Sequence, residues 1–322
     1  MAQVYDSIII GGGHNGLVCA AYLARAGKKV LVLERRHVLG GAAVTEEVYP
    51  GFKYSVCSYV VSLLRPQIIR DLDLPRHGLE ILPLECSFSP ALEGPGLVRW
   101  PESAKTRREI SAYSKKDAEI YPEFGREMMQ MARWVKPIID MAPPDPTSWN
   151  PSHLMTLMGL GNRVRGMGPE KFVRLAKMMT MSAVDFLDEW FESDVLKAPM
   201  AVSGIIGTYL GVRSPSTAYV MLHHYMGEID GSFRAWGFSK GGTGQISLAI
   251  ADAARSLGVE IRTEASVDTV IIKGGEAKGV ALTDGTELYA KTIVSGVDPN
   301  LTFLKLVGKE HLPDEFVTQI KR

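Results

Sequence analysis

The chain has 322 residues, and its 36 Lys+Arg balance its 36 Asp+Glu to a formal charge of zero. Length sets a prior of about two domains at roughly 150 residues each. With 46% hydrophobic and 22% charged residues, wholesale disorder and fibrous repeats are excluded. The neutral balance argues against duplex nucleic acid as the main partner and, for the same reason, against an anionic membrane surface.

Residues 7–10 form a short β-branched run, the pattern of a buried parallel strand. Gly11-Gly12-Gly13-His14-Asn15-Gly16 follows at once, and residues 17–26 predict an Ala- and Leu-rich helix with Gly27 at its C-terminal cap. Residues 30–33 give a second strand that ends at Glu34. Residues 7–24 carry no charge, but four Gly, a His and an Asn interrupt them, so no integral membrane segment is expected. The N-terminus shows neither a secretory leader nor an Arg-rich transit helix, and a cytoplasmic location is expected. Cys19, Cys57 and Cys86 form no CxxC pair, which removes a zinc ribbon and a dithiol redox motif.

The middle of the chain differs in composition, with 13 of the 14 Met lying from Met128 to Met226. Helical patterns alternate there with proline-rich turns, notably at residues 141–151. Met fills irregular core gaps, and the same composition also suits an apolar pocket. Further on, Ile246, Ile250, Ala253 and Leu257 share one helix face, capped by Gly258. Strand-like runs follow at 259–261, 267–272, 279–282 and 292–294, with a tight turn at Asp284-Gly285.

Gly11, Gly13 and Gly16 make G-x-G-x-x-G between a strand and a helix, the context a dinucleotide site requires. The first glycine permits the turn, the second lets backbone approach a pyrophosphate, and the third lets helix and sheet pack closely. Helix N–H groups and the positive dipole end then face the phosphates. Glu34, at the end of the second strand, is placed for a ribose diol and would repel a 2′-phosphate. Arg35 and Arg36 follow it, and then Gly40-Gly41-Ala42. A second glycine pair six residues past the acid suits the long ribityl-pyrophosphate arm of a flavin better than a nicotinamide dinucleotide, and Arg36 adds charge near the phosphates.

The string GGGHNGLVCAAYLARAGKKVLVLERRHVLGGAAVTEE resembles the FAD-binding start of the phytoene desaturase and carotenoid isomerase-like flavoproteins. It is most similar to an animal and bacterial subgroup named for a pyridine nucleotide-disulfide oxidoreductase domain. Gly51-Phe52-Lys53-Tyr54-Ser55, the run Leu63 to Gln67, and the segment from Gly241-Gly242 through Val267 to Asp298-Pro299 extend the likeness along nearly the whole chain. The resemblance implies an α/β fold: a Rossmann-like FAD/NAD(P)-binding domain of the glutathione reductase and amine oxidase type with an inserted α+β substrate domain. On that reading residues 1–72 and 236–300 form the discontinuous FAD-binding domain, 73–235 the inserted Met-rich substrate domain, and 301–322 the start of a missing C-terminal portion. The cofactor contacts it implies are Gly11, Gly13, Asn15, Gly16, Glu34, Arg35, Arg36, Gly40, Gly41, Ala42, Val267 and Gly296. Residues 55–59 match a segment that passes the flavin ring in relatives. Many relatives carry Arg where this chain has Ala42, and the absence of CxxC excludes a CxxC-type redox disulfide.

The implied activity is FAD-dependent oxidoreduction, of dehydrogenase, desaturase or isomerase type, on an apolar polyene or lipid-like small molecule. The alternatives are a non-catalytic binding module on the same fold, or an inactive fragment of the flavoenzyme. Animal relatives place a mitochondrial matrix location beside the cytoplasmic one. Of the remaining candidates, His14 reads as a solvent-facing loop residue, and only one of His223 and His224 can face a pocket because neighbours on a helix diverge by about 100°. Asp185, Asp188, Glu189 and Glu192 fall on one helix face and read as a solvated polar surface. No catalytic residue stands out.

Overall fold

The computed structural model describes residues 4–229, 232–233 and 235–322. The chain opens with β1 (Val4–Ile10), α1 (His14–Arg25) and β2 (Val30–Leu33). The hairpin β3 (Thr45–Tyr49) and β4 (Phe52–Ser55), helix α2 (Pro66–Asp71) and strand β5 (Ile81–Pro83) follow. Next come the hairpin β6 (Ser87–Ser89) and β7 (Leu97–Arg99), then α3 (Ser103–Ser111) and α4 (Lys115–Ile139). The helical middle continues with α5 (Pro151–Met167), α6 (Pro169–Thr180), α7 (Ala183–Asp188), α8 (Asp194–Ala201) and α9 (Thr217–His224). Strands β8 (Glu228–Ile229), β9 (Ser232–Phe233) and β10 (Gly237–Ser239) lead to α10 (Gly244–Ser256) and β11 (Glu260–Arg262). Strands β12 (Val267–Lys273), β13 (Glu276–Leu282) and β14 (Glu287–Ser295) and helix α11 (Asp314–Ile320) follow.

The chain divides into two compact units, residues 1–82 with 237–322, and residues 83–236. The divide therefore falls about ten residues later than the 72/73 boundary read from the sequence. Leu74 and Leu79 explain the difference, because they are buried in one cluster with Ile9, Leu17 and Leu72. Residues beyond 300 also belong to the first unit. Leu306 is buried beside Val270, and its carbonyl accepts the Thr269 hydroxyl at 3.2 Å.

The first unit is built on a six-stranded sheet of order β11-β2-β1-β14-β13-β12. β11, β2, β1 and β14 run parallel, and β13 and β12 add antiparallel pairings at one side. Side chains alternate across the sheet. Ile9, Val30 and Val32 pack with α1 and α10, whereas Ile8, Ile10, Leu31 and Leu33 pack on the other face with Val270, Val280 and Leu306. Both faces are covered, which is why β1 and β2 are continuous apolar runs. Truncating Ile9 to Ala would cost roughly 2–5 kcal/mol by cavity formation.

The two sheet-facing helices end alike. After α1, Gly27 at φ +76° donates to Ala24 O at 2.8 Å and Lys28 N donates to Leu23 O at 3.0 Å. After α10, Gly258 at φ +90° donates to Arg255 O at 2.9 Å and Val259 N donates to Ala254 O at 3.1 Å. This paired closure satisfies the last carbonyls and needs a residue with positive φ, which Gly adopts without a Cβ penalty. Each closure turns the chain directly into a strand, β2 or β11.

The second unit is mainly helical, with short hairpins. Phe124 lies at its centre, with ring centroids 5.0 Å from Phe191 and 5.5 Å from Trp190. Seven of the Met from Met128 to Met226 are buried, among them Met128, Met178 and Met221 in this core. Adaptable packing thus accounts for about half of the Met-rich composition. Asp117 is fully buried on α4 and accepts the Glu192 and Ser193 N–H groups at 2.9 Å each, ahead of α8.

Candidate dinucleotide site

The glycine turn after β1 is fixed by close contacts. Gly11, at φ +98°, donates to Leu33 O at 2.8 Å, and a Cβ there would sit 3.0 Å from Val297 Cγ1. A Cβ on Gly16 would meet the Gly11 carbonyl oxygen at 2.4 Å, so α1 approaches the turn only because Gly16 lacks one. Gly13 occupies the helix N-cap in an extended conformation, and no side chain among the described residues caps the helix. The first N–H of α1 with a partner in the turn is that of Leu17, bonded to Gly13 O at 2.9 Å. The unsatisfied N–H groups of such a helix start are ready donors for an anion.

Glu34 ends β2 at 8% exposure. Its Oε2 accepts the Gly12 N–H at 2.8 Å, and its Oε1 accepts the Arg36 N–H at 2.9 Å. The acid therefore ties the turn to the end of β2. Each carboxylate oxygen keeps a further lone pair for a hydroxyl donor.

The second glycine pair lies against the first loop. Gly40 N donates to Gly12 O at 2.9 Å, and Gly13 and Gly40 form an isolated parallel bridge. A Cβ on Gly41 would stand 3.2 Å from Gly13 Cα. Gly40, at φ +128°, has Ala43 O only 2.2 Å from its would-be Cβ. The Ser247 hydroxyl of α10 donates to that same Ala43 carbonyl at 2.8 Å, holding the loop.

The remaining predicted residues are placed as follows. Asn15 is exposed in the first turn of α1, and Arg35 and Ala42 are exposed in the loop beyond β2. The Arg36 guanidinium pairs with Glu46 of β3 at 2.6 Å, so its charge is neutralised locally. Ala265 N donates to Glu34 O at 2.9 Å and Glu264 N to Arg36 O at 3.0 Å, which brings the start of β12, with half-buried Val267, beside the end of β2. Gly296 donates to Ile10 O at 2.8 Å and lies against Gly11. Ser55 accepts the Thr243 N–H at 3.0 Å at the start of α10.

Three residues of the site escaped the sequence reading. Gly12 stands at a variable position of the motif, yet its Cβ would meet Leu39 Cδ2 at 2.7 Å. The unbroken Gly11-Gly12-Gly13 run was the available signal. Glu46 and Val297 gave none, because their roles come from long-range pairing.

His14 is half-buried, and its Nδ1 is buried without a hydrogen-bond partner among the described residues, which corrects the solvent-facing reading. His224 Nδ1 lies 2.9 Å from Val220 O, and burial, with His224 beside it, holds the His223 imidazole below its ordinary range. The carboxylates at 188, 189 and 192 pair with Lys197, Lys177 and Lys116 as a polar surface. Among the described residues no cluster of three or more His, Cys, Asp or Glu could hold a metal ion. No described helix is long and apolar enough to cross a membrane.

Residues 9–72 match the NAD(P)-binding Rossmann-like domain model. Pyridine nucleotide-disulfide oxidoreductase domain-containing protein 2 of Mus musculus is 42% identical over 99% of this chain and 57% of its own length. A limonene dehydrogenase subunit of Castellaniella defragrans is 27% identical over 95% of the chain and 54% of its own length. Chloroplastic prolycopene isomerase of Daucus carota is 27% identical over 98% of the chain and 49% of its own length. The chain thus spans about half the length of these curated relatives. A redesigned variant of putrescine oxidase, at 18% identity, matches 99% of the chain and 63% of its own with a TM-score of 0.61, a likeness of fold alone. Glycine turn, anchored acid, sheet order and these likenesses agree: residues 9–72 form an NAD(P)-binding Rossmann-like domain, and over the length it spans the chain is similar to pyridine nucleotide-disulfide oxidoreductase domain-containing protein 2 and, at greater distance, to prolycopene isomerase.

Proposed function

We propose that the chain is the cofactor-holding part of an FAD-dependent oxidoreductase acting on an apolar, polyene- or lipid-like substrate. The observation that carries the cofactor is the approach of Gly41 to Gly13, with a would-be Cβ only 3.2 Å from the facing Cα. It leaves backbone, not side chains, on both sides of the uncapped start of α1. A second glycine surface suits the long ribityl-pyrophosphate arm, whereas a nicotinamide dinucleotide needs only the first.

Bound flavin supplies the two-electron chemistry, and the protein supplies position and electrostatics. The N–H groups at the start of α1 receive the pyrophosphate. Glu34, already oriented by Gly12 and Arg36, offers its remaining lone pairs to a ribose diol and disfavours a 2′-phosphate. Backbone around Val267 borders the adenine end. The substrate class is supported by two relatives named for hydrocarbons, limonene and prolycopene.

The test is the visible spectrum of the purified chain, before and after FAD is added and unbound cofactor removed. A retained flavin band, lost in Gly41→Val, is the expected result. A colourless protein that takes up NAD but not FAD overturns the cofactor assignment. Anaerobic bleaching of the bound flavin by apolar polyenes or terpenes is expected next, and no bleaching by any of them overturns the substrate class.

A further inference from the structure

The hairpin of β6 and β7, in the second unit, has two unlike faces. Its register pairs Ser87 with Arg99, Phe88 with Val98 and Ser89 with Leu97. Side chains alternate along a strand and share a face with their cross-strand partners. Ser87, Ser89, Leu97 and Arg99 therefore lie on one face, and Phe88 and Val98 on the other. Leu97 is fully buried in the core around Phe124, whereas Phe88 is 59% exposed. The face that carries Arg99 is the inward one.

A guanidinium on an inward face needs an acceptor, and Arg99 has none. It is half-buried, its Nε is buried without a hydrogen-bond partner, and it forms no ion pair among the described residues. Glu102, the acid nearest along the chain, is taken by Lys105 at 3.1 Å. Two other half-buried cations of this unit are matched, Lys136 with Glu228 at 2.8 Å and Lys197 with Asp188 at 2.6 Å. Ser87 and Ser89 are half-buried as well, and their hydroxyls make no hydrogen bond among the described residues. A guanidinium offers five donors and no acceptor, and an unpaired charge drawn away from water is costly. The face is thus a cluster of donors without an anion.

We propose that Arg99, with Ser87 and Ser89, binds the carboxylate of a small organic acid in the second unit. The planar guanidinium fork matches a carboxylate through two parallel N–H···O bonds, and the hydroxyls supply further donors. One cation balances one negative charge. A phosphate group carries nearly two and would call for a second cation, which this face lacks. Leu97, beside Arg99 on the same face, gives the ligand's carbon skeleton an apolar neighbour. The assignment is independent of the flavin reading and adds an acid group to the ligands this unit takes.

The test is titration calorimetry of the full chain with acetate, benzoate and octanoate, with inorganic phosphate and octanol as controls. Saturable binding of at least one carboxylate, and of neither control, is expected. Arg99→Gln should weaken it roughly tenfold to a hundredfold, the loss of a hydrogen bond to a charged group. Arg99→Lys should fall between, because it keeps the charge without the fork. Ser87→Ala should weaken binding roughly fivefold. Without ligand, Arg99→Gln should melt at or above the wild-type temperature, since the charge it removes had no partner. A purely structural arginine would instead leave a less stable variant. Unchanged binding by Arg99→Gln, binding of phosphate in place of the carboxylates, no binding of any of the three, or a destabilised unliganded Arg99→Gln overturns the proposal.

Discussion

Glu34 Oε2 accepts the N–H of Gly12, 22 residues earlier, at 2.8 Å, joining the end of β2 to the glycine turn. The same carboxylate takes the Arg36 N–H at 2.9 Å. The acid therefore shapes the turn before any ligand arrives, and its part in binding a ribose would rest on that preorganisation. Glu34→Ala leaves two N–H groups without their acceptor in a largely buried place. A loss of roughly 1–3 kcal/mol in unfolding free energy is expected, together with weaker cofactor uptake. Urea titration measures the first and flavin retention the second. A variant with wild-type stability would show that water or a neighbour replaces the carboxylate.

The loop glycines should rank by geometry. Gly40 combines φ +128° with a Cβ position 2.2 Å from Ala43 O, so Gly40→Ala should cost roughly 3 kcal/mol or more. Gly41, at φ +61° and 3.2 Å from Gly13 Cα, should cost about 1–2 kcal/mol on the same change. Gly51, at φ +83° with nothing within 4 Å, isolates the backbone strain alone and should lie near 1 kcal/mol. Denaturant midpoints of the three variants test the order, and a Gly51 variant less stable than the Gly40 variant would refute it.

His223 sets a pH dependence of definite sign. Burial, with His224 nearby, holds its folded-state pKa below the ordinary value of 6.5. The unfolded chain then binds more protons, so this contribution to stability is present above about pH 6.5 and is lost as pH falls toward the folded value. Unfolding free energy should drop between about pH 7.5 and 5.5, above the range where most carboxylates titrate. His223→Asn should flatten that segment. An unchanged slope in the variant would assign the effect to other groups.

Asp117 is fully buried, and each of its two carboxylate oxygens accepts one backbone N–H at 2.9 Å. Asp117→Asn replaces one acceptor with an NH₂ that faces a donor. A loss of about 1.5–3 kcal/mol is expected, seen as a lower urea midpoint with the slope m unchanged. A near-neutral result would mean that the 192–193 backbone finds water in place of the side chain.

Much of the first unit was legible in the chain because its signals are local. Ile8, Ile9 and Ile10 announce a strand buried on both faces, and Gly27 and Gly258 mark helix ends that need positive φ. Gly11, Gly13 and Gly16 with Glu34 define a strand-turn-helix-strand unit by spacing alone. The Met-rich middle was less legible, since composition does not say which Met faces inward. Met128 and Met221 are core, and Met155 and Met158 are not.

The sequence by itself therefore determined the glycine turn, the acid at the end of β2 and the strands and helices around them. These depend on backbone conformation and on periodicities within a few residues. Only the tertiary structure decided that β14 inserts between β1 and β13, that Gly296 lies against Gly11, that Gly41 faces Gly13, and that Arg36 is held by Glu46. Those relationships come from strand order and from the meeting of distant loops. Each joins segments whose pairing carries no local signature, and each becomes favourable only once the sheet has brought them together.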